Sequence, residues 1–109
     1  MLQRMDLDVV TKTRPPKAFR APVRAYMVAS SVASPLCPTG GAVYCQGCKE
    51  KVSACLNRAC VADLEDGRHA FGTVTENGEG FDLVSYQTGA RLVDWQAVRR
   101  VSRVVGASA

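Results

Sequence analysis

The sequence lacks the features on which most enzymes and all helical membrane proteins depend. It has a single His among 109 residues, no Gly-rich phosphate loop and no paired catalytic signature. No apolar run approaches the roughly 20 residues that a membrane-spanning helix needs. A chain of this length has room for one hydrophobic core. We therefore expect one small non-enzymatic domain without a membrane partner.

Proline is absent from the whole second part of the chain. Because proline interrupts helices and interior strands, regular structure can run without a break only after Pro38. Charge is equally uneven: residues 1–27 hold six bases and two acids, an excess that equals the net charge of +4. Residues 28–109 are neutral overall. This division predicts a basic, Pro-containing flexible arm at 1–40 and a folded domain at 41–109.

The arm has three interpretations. The first is a flexible extension without regular structure. The second is an additional helix or strand around Ala25–Val32, and the third is a targeting or nucleic-acid-binding role. Without an apolar core near its start the arm does not resemble a secretory signal, and an odd cysteine count favours a reducing compartment. We therefore expect a cytoplasmic protein.

A helix is predicted over Gln46–Arg58. Weakly polar and apolar residues fall there at spacings of four, three, one and three, which is one face of a helix. These residues are Cys48, Val52, Cys55, Leu56 and Ala59.

Five short strands follow, separated by turns. Asp66-Gly67 and Asn77-Gly78 are strong hairpin signals because glycine adopts the positive φ of a tight turn. Gly72 lies inside a strand, where its missing side chain allows a bend or a close backbone approach. The predicted strands are 60–64, 68–75, 81–87, 91–93 and 98–105, with one helical turn at 94–96. The fold class is mainly β with one N-terminal α-helix, arranged as a five-stranded antiparallel barrel after an irregular arm.

This order of elements resembles Sm-like barrels, and within them the Rof family of inhibitors of transcription termination factor Rho. The resemblance covers residues 43–105. Three groups of residues carry it: Tyr44 and Cys45 before the helix, Leu64, Asp66 and Gly67 at the first turn, and Gly89, Leu92, Asp94 and Val98 near the end.

The resemblance implies a bacterial regulatory protein that binds the Rho hexamer and blocks its RNA-binding site, causing antitermination. An acidic surface can compete with RNA phosphates for basic side chains. Here the acids lie mostly in the hairpin turns, and the partner-binding candidates are Glu50, Asp63, Glu65, Asp66, Glu76 and Glu79. In the alternative interpretation, these turn acids only keep the surface hydrated.

A second hypothesis is binding of RNA or DNA. Arginines cluster in and near the last strand, and together with the basic arm they could follow a phosphate backbone. The candidates are Arg91, Arg99, Arg100 and Arg103. Trp95, Tyr86 and Phe81 could offer stacking faces, or could belong to the core.

The cysteines permit three interpretations. Cys45 and Cys48 have the spacing of a zinc ligand pair, which Cys55 and Cys60 could complete as a zinc-binding interaction module. Alternatively they pack as small buried hydrophobic residues, or form a disulfide. No other cofactor is expected, and the oligomeric state is open.

Overall fold

The fold is built on one antiparallel sheet that closes on itself through part of its length. The computed structural model describes residues 9–14, 23–28, 36–47, 52–78 and 80–108. Within these ranges the strands are β1 (Val9–Thr13), β2 (Arg24–Val28), β3 (Ala42–Gly47), β4 (Ala59–Leu64), β5 (His69–Glu76), β6 (Phe81–Val84), β7 (Arg91–Val93) and β8 (Val98–Ser108). Short 3-10 turns span Val52–Cys55 and Trp95–Ala97.

The strand order is β1-β2-β3-β8-β4-β5-β6-β7, and β1 also pairs with β5. This extra pairing, Val9 with Ala70 and Val10 with His69, closes six strands into a ring. The buried residues inside it form the ring core: Val10, Tyr26, Val28, Cys37, Val43, Cys45, Val61 and Phe71. A second set packs on the other face of β4, β5 and β8 and forms the outer core: Cys55, Cys60, Ala62, Leu64, Ala70, Val74, Leu83 and Val101.

Strands β4, β5 and β8 are shared by the two cores. Successive side chains of a strand point to opposite faces, so Val61 enters the ring core while Cys60 and Ala62 enter the outer core. A strand covered on both faces needs apolar residues at nearly every position. The continuous apolar stretch in β4, interrupted only by Asp63, follows from this double burial.

The length of β8 lets one strand serve both halves of the sheet. Its residues 102–108 pair with β3, and its residues 98–103 pair with β4. The register shifts once against each partner, between Tyr44 and Cys45 and between Asp63 and Leu64. Such irregularities increase the local twist of a strand, which helps β8 to curve from one half to the other.

A loop covers one end of the ring. Cys37 is fully buried in the ring core. The loop is held by two backbone hydrogen bonds: Val28 N–H donates to Gly41 O at 2.9 Å, and Gly40 N–H donates to Val28 O at 2.7 Å. The opposite end of the ring, where β2 begins at Arg24, carries the polar residues described below.

Part of the predicted fold is wrong. The helix over Gln46–Arg58 does not form: β3 extends to Gly47, and the regular structure before β4 is the short Val52–Cys55 turn. Val52 and Leu56 still pack on the outer core, so their apolar character reflects a covering segment rather than a helical face. Asn57, at φ 60, breaks any helical path. Positions 48–51 lie outside the described residues.

The irregular arm and the five-stranded barrel are also wrong as stated. Residues 9–13 and 24–28 are strands of the same sheet, so within the described ranges the sheet has eight strands rather than five. The strand alternative for the region beginning at Ala25 is confirmed for 25–28. These two strands lack a clear sequence signal, because each is only five residues long and is stabilised by partners distant in the chain.

The strand pattern after residue 58 is confirmed. Strands β4 to β8 lie at or near the predicted positions, and the predicted single turn forms at Trp95–Ala97. Asp94 occupies its N-cap position but makes no side-chain capping hydrogen bond. Gly67 and Gly78 have φ angles of 92 and 93° at the predicted turns, and Gly89, before β7, has a φ angle of 79°. In the described part of the chain, no helix has the length and hydropathy of a membrane span.

Candidate functional site

Polar side chains on the inward face of the ring gather at the end opposite the covering loop. Residues that pair across antiparallel strands point to the same face, so register identifies the inward set. The defining pairs are Lys12 with Tyr26, Val10 with His69, His69 with Asp63, and Asp63 with Arg100. We call this set the ring mouth: Lys12, Arg24, Tyr26, Asp63, His69, Arg100 and Ser102.

Asp63 is the centre of the ring mouth. Its Oδ1 accepts a hydrogen bond from His69 Nδ1 at 2.8 Å, and its Oδ2 accepts bonds from Arg100 Nε at 2.9 Å and Nη2 at 2.7 Å. The Asp63 side chain is 15% exposed. Burial raises its pKa, but the hydrogen bonds and charges of Arg100 and His69 outweigh burial, and the pKa is lowered overall. Asp63 is therefore a carboxylate whose charge is satisfied within the site.

Replacing this carboxylate is expected to destabilise the protein. We expect Asp63→Asn to lower the free energy of unfolding by about 2 kcal/mol at pH 7, because charge-assisted hydrogen bonds are lost. A lowered folded-state pKa stabilises above the unfolded-state pKa and loses this effect as pH falls through the folded value. The difference between wild type and variant in urea unfolding should therefore shrink towards pH 3. A difference that is constant with pH would contradict the assignment.

Tyr26 is the buried aromatic member of the ring mouth. It is only 1% exposed, and its ring centroid is 5.2 Å from that of His69. Burial raises the pKa of Tyr26 to about 12, the charge of Asp63 adds to the increase, and Arg24 and Arg100 oppose it. The phenol is thus neutral at physiological pH and close to both arginines.

Arg24, also in the ring mouth, has a side-chain N–H donor without an acceptor among the described residues. Its Nη2 donates to Ser102 Oγ, a residue 78 positions away in the chain. Its Nε is buried and has no hydrogen-bond partner among the described residues. An unpaired buried donor is energetically costly, so this N–H favours an acceptor entering from the ring mouth.

A surface pocket of about 260 Å³ opens beside Asp63 and Arg100. Among the described residues it is lined by Asp63, Arg99 and Arg100. Arg99 is exposed and makes no ion pair within the described part of the chain, whereas Arg100 is held by Asp63. The pocket therefore combines one fixed and one free guanidinium group.

The predicted acidic residues are not assembled into one surface. Asp63 is in the ring mouth. Glu65 and Asp66 occupy the β4–β5 turn, where Asp66 accepts a hydrogen bond from Arg68 Nε at 2.7 Å. Glu76 is exposed at the opposite end of β5. Glu50 and Glu79 lie outside the described residues.

The predicted basic residues divide into two groups. Arg99 and Arg100 come together at the pocket. Arg91 lies on β7 and is bonded to Asp94 at 2.8 Å. Arg103 pairs in register with Cys60, on the outer-core side of β8. The aromatic candidates pack against the cores: Phe81 and Trp95 against the outer core, Tyr86 against Phe71 in the ring core.

The four proposed zinc ligands do not form one described group. Cys45 belongs to the ring core and Cys60 to the outer core, while Cys55 is disulfide-bonded. Cys48 lies outside the described residues, and no cluster of three or more ligating side chains occurs among those described. Cys37, Cys45 and Cys60 are buried free thiols. The disulfide removes part of the basis for the cytoplasmic expectation, which stays a prediction.

Only Asp63 and Arg100 of the seven ring-mouth residues were candidates from the sequence. Lys12, Arg24 and Tyr26 fell within the supposed arm, and neither His69 nor Ser102 was a candidate site residue. The available signal was the alternation of Arg24, Tyr26 and Val28 with Ala25 and Met27. No protein-family model, curated protein or solved structure matches this chain.

Proposed function

We propose that this protein is a non-enzymatic nucleic-acid-binding module whose contact surface is the ring mouth with Arg99. The observation that carries the proposal is the convergence of Arg24, Arg99 and Arg100 with Lys12 at one end of the ring. These residues come from three strands and two distant parts of the chain. Clustered cationic side chains are the electrostatic footprint of phosphate binding.

The charge balance of this surface supports an anionic partner. In the ring mouth with Arg99, four basic side chains accompany the carboxylate of Asp63, while Glu65 and Asp66 lie in the adjoining β4–β5 turn, where Asp66 is paired with Arg68. Both Asp63 oxygens are already occupied by His69 and Arg100, so the carboxylate is compensated within the protein. Lys12 and Arg99 are exposed and can reach a backbone that passes over the ring mouth.

The Rho-inhibitor function implied by the Rof resemblance is supported less well. It requires an acidic surface, and the described acids are divided between opposite ends of β5. Asp63 and Asp66 are already paired with basic side chains. We therefore use Rho binding as an alternative outcome of the same experiment.

The test is fluorescence anisotropy with labelled 12-nucleotide single strands of RNA and DNA. With about four phosphates contacted, the logarithm of the affinity should fall with a slope of about −3 against the logarithm of salt concentration. That slope corresponds to a loss of roughly 50-fold between 50 and 200 mM KCl. At a fixed salt concentration, Arg99→Glu is expected to weaken binding by about tenfold relative to wild type, because it reverses an exposed charge at the pocket.

Arg91→Glu is the matched control. It makes the same charge change on the same protein, but Arg91 is bonded to Asp94 away from the pocket. We expect an effect of less than about twofold, since only the long-range field changes. Equal effects of the two variants, or binding insensitive to salt, would overturn the proposal. Capture of purified Rho without binding of either oligonucleotide would do so in favour of the alternative.

A further inference from the structure

We infer that the ring mouth holds a terminal phosphate group of a nucleic-acid strand, rather than only internal phosphodiesters. The inference rests on the proposed nucleic-acid function and goes further by naming the chemical group. It is carried by three observations: the buried Nε of Arg24, the small pocket beside Arg100, and the closed opposite end of the ring.

The burial of the Arg24 Nε donor favours the end of a nucleic-acid strand over its interior. Arg24 lies at the ring-mouth end of β2; its Nε is buried, and its Nη2 donates to Ser102 Oγ on β8. The far end of the ring is filled by Cys37 and the loop around Gly40. A nucleic-acid strand cannot pass through the ring, so an internal phosphate could enter only if the nucleotides on both sides of it bent into the opening. A terminal group enters without that distortion.

The volume of the pocket agrees with this argument. At about 260 Å³ it lies just below the range of roughly 300–1,000 Å³ that is typical of sites for whole small molecules. The pocket therefore suits a terminal phosphate with part of its sugar. It is too small for several nucleotides in an extended conformation.

The charge of the site matches a dianion. The ring mouth contains Lys12, Arg24 and Arg100 against Asp63, so its formal charge is +2. A terminal phosphate carries a charge of about −1.5 to −2 at pH 7, whereas an internal phosphodiester or a carboxylate carries one. Arg24 also offers the planar donor geometry that pairs with phosphate oxygens.

The experiment compares 10-nucleotide RNAs that differ only in their ends: a 5′-phosphate, a 3′-phosphate, or hydroxyl groups at both. We expect one phosphorylated end to bind at least about tenfold more tightly than the hydroxyl-ended strand, because a charge-assisted contact is added. Arg24→Lys keeps the charge but loses the Nε donor, and should remove most of this preference. Arg91→Gln serves as the control with the preference intact.

His69 gives a second readout that does not depend on an oligonucleotide. Because it is the only His of the chain, its ring signals in an NMR spectrum are unambiguous. Inorganic phosphate at fixed pH should shift them saturably, and acetate at equal ionic strength should not.

Three results would overturn the inference. Equal affinity for phosphorylated and hydroxyl ends, with the salt dependence retained, would overturn it and leave the proposed function standing. Loss of binding for all strands would overturn both. An Arg24→Lys variant that keeps the end preference would show that the phosphate is held elsewhere.

Discussion

Between pH 8 and pH 11 the protein is expected to lose about 6 kcal/mol of its free energy of unfolding through three buried acids. The acids are Tyr26, Cys45 and Cys60, each at most 1% exposed. Their pKa values rise to about 12 in the folded protein, from ordinary values of 10.0 for the phenol and 9.0 for the thiols. Burial is the main cause in each case.

The direction follows from proton binding. Above pH 9 the unfolded chain releases the thiol protons, and above pH 10 the phenol proton, while the folded protein retains all three. Stability falls with pH wherever the folded state binds more protons. Near pH 11 each group contributes about 1.4 kcal/mol per pH unit, so the slope is about −4 kcal/mol per unit. Typical domains have only 5–15 kcal/mol in total, so the protein should unfold in this range.

Urea unfolding at closely spaced pH values, under argon and without reductant to preserve the disulfide at Cys55, measures this slope. Cys45→Ala should reduce the slope by about 1.4 kcal/mol per pH unit, because one buried thiol no longer titrates. The comparison uses slopes, so a uniform loss of stability from the cavity does not affect it. Identical slopes in wild type and variant would contradict the burial of this thiol. Rapid reaction of the native thiols with a disulfide reagent at pH 8 would contradict it as well.

Gly72→Ala is expected to lower the free energy of unfolding by about 3 kcal/mol, as overpacking a tight site does. A Cβ atom at Gly72 would lie 2.5 Å from the carbonyl oxygen of Val84, and 3.2 and 3.3 Å from Cδ1 atoms of Leu92 and Leu83. The first contact is with backbone, which cannot move without separating β5 from β6, where Thr73 pairs with Val84. The close backbone approach predicted for this glycine is confirmed.

Gly80→Ala is the matched control. No heavy atom lies within 4 Å of the corresponding Cβ position, and the residue is not among the positive-φ glycines. We expect a change of about 0.5 kcal/mol or less in urea unfolding, as for other unobstructed surface substitutions. If the two variants were equally stable, the steric account of Gly72 would be wrong.

The elements that could be predicted correctly were those set by a few adjacent residues. Hairpin turns such as Asn77-Gly78 depend on the φ angles of one or two residues, so β4 to β7 could be located from the sequence. The spacing of Val52 and Leu56 fits a helix, yet it also fits a segment laid over the outer core. Apolar spacing alone does not distinguish these cases.

The candidate site was less accessible to sequence analysis than the strands. Arg99 and Arg100 were identified as a basic pair, but Asp63 was assigned to an acidic partner surface. In the structure Arg100 and Asp63 form an ion pair, because the register of β4 and β8 places the two residues opposite each other. The charges of each strand considered separately could not show that Arg100 and Asp63 neutralise one another.

The hairpin turns, the strands after residue 58 and the need for glycine at position 72 could be predicted from the residues alone. The pairing of β1 with β5, and the meeting of Lys12, Arg24 and Tyr26 with Asp63, His69 and Arg100, became visible only in the folded chain. Turn conformation is a property of adjacent residues, whereas ring closure depends on the packing of strands far apart in the chain. The free energy that holds such a pairing comes from a shared core that no single segment contains.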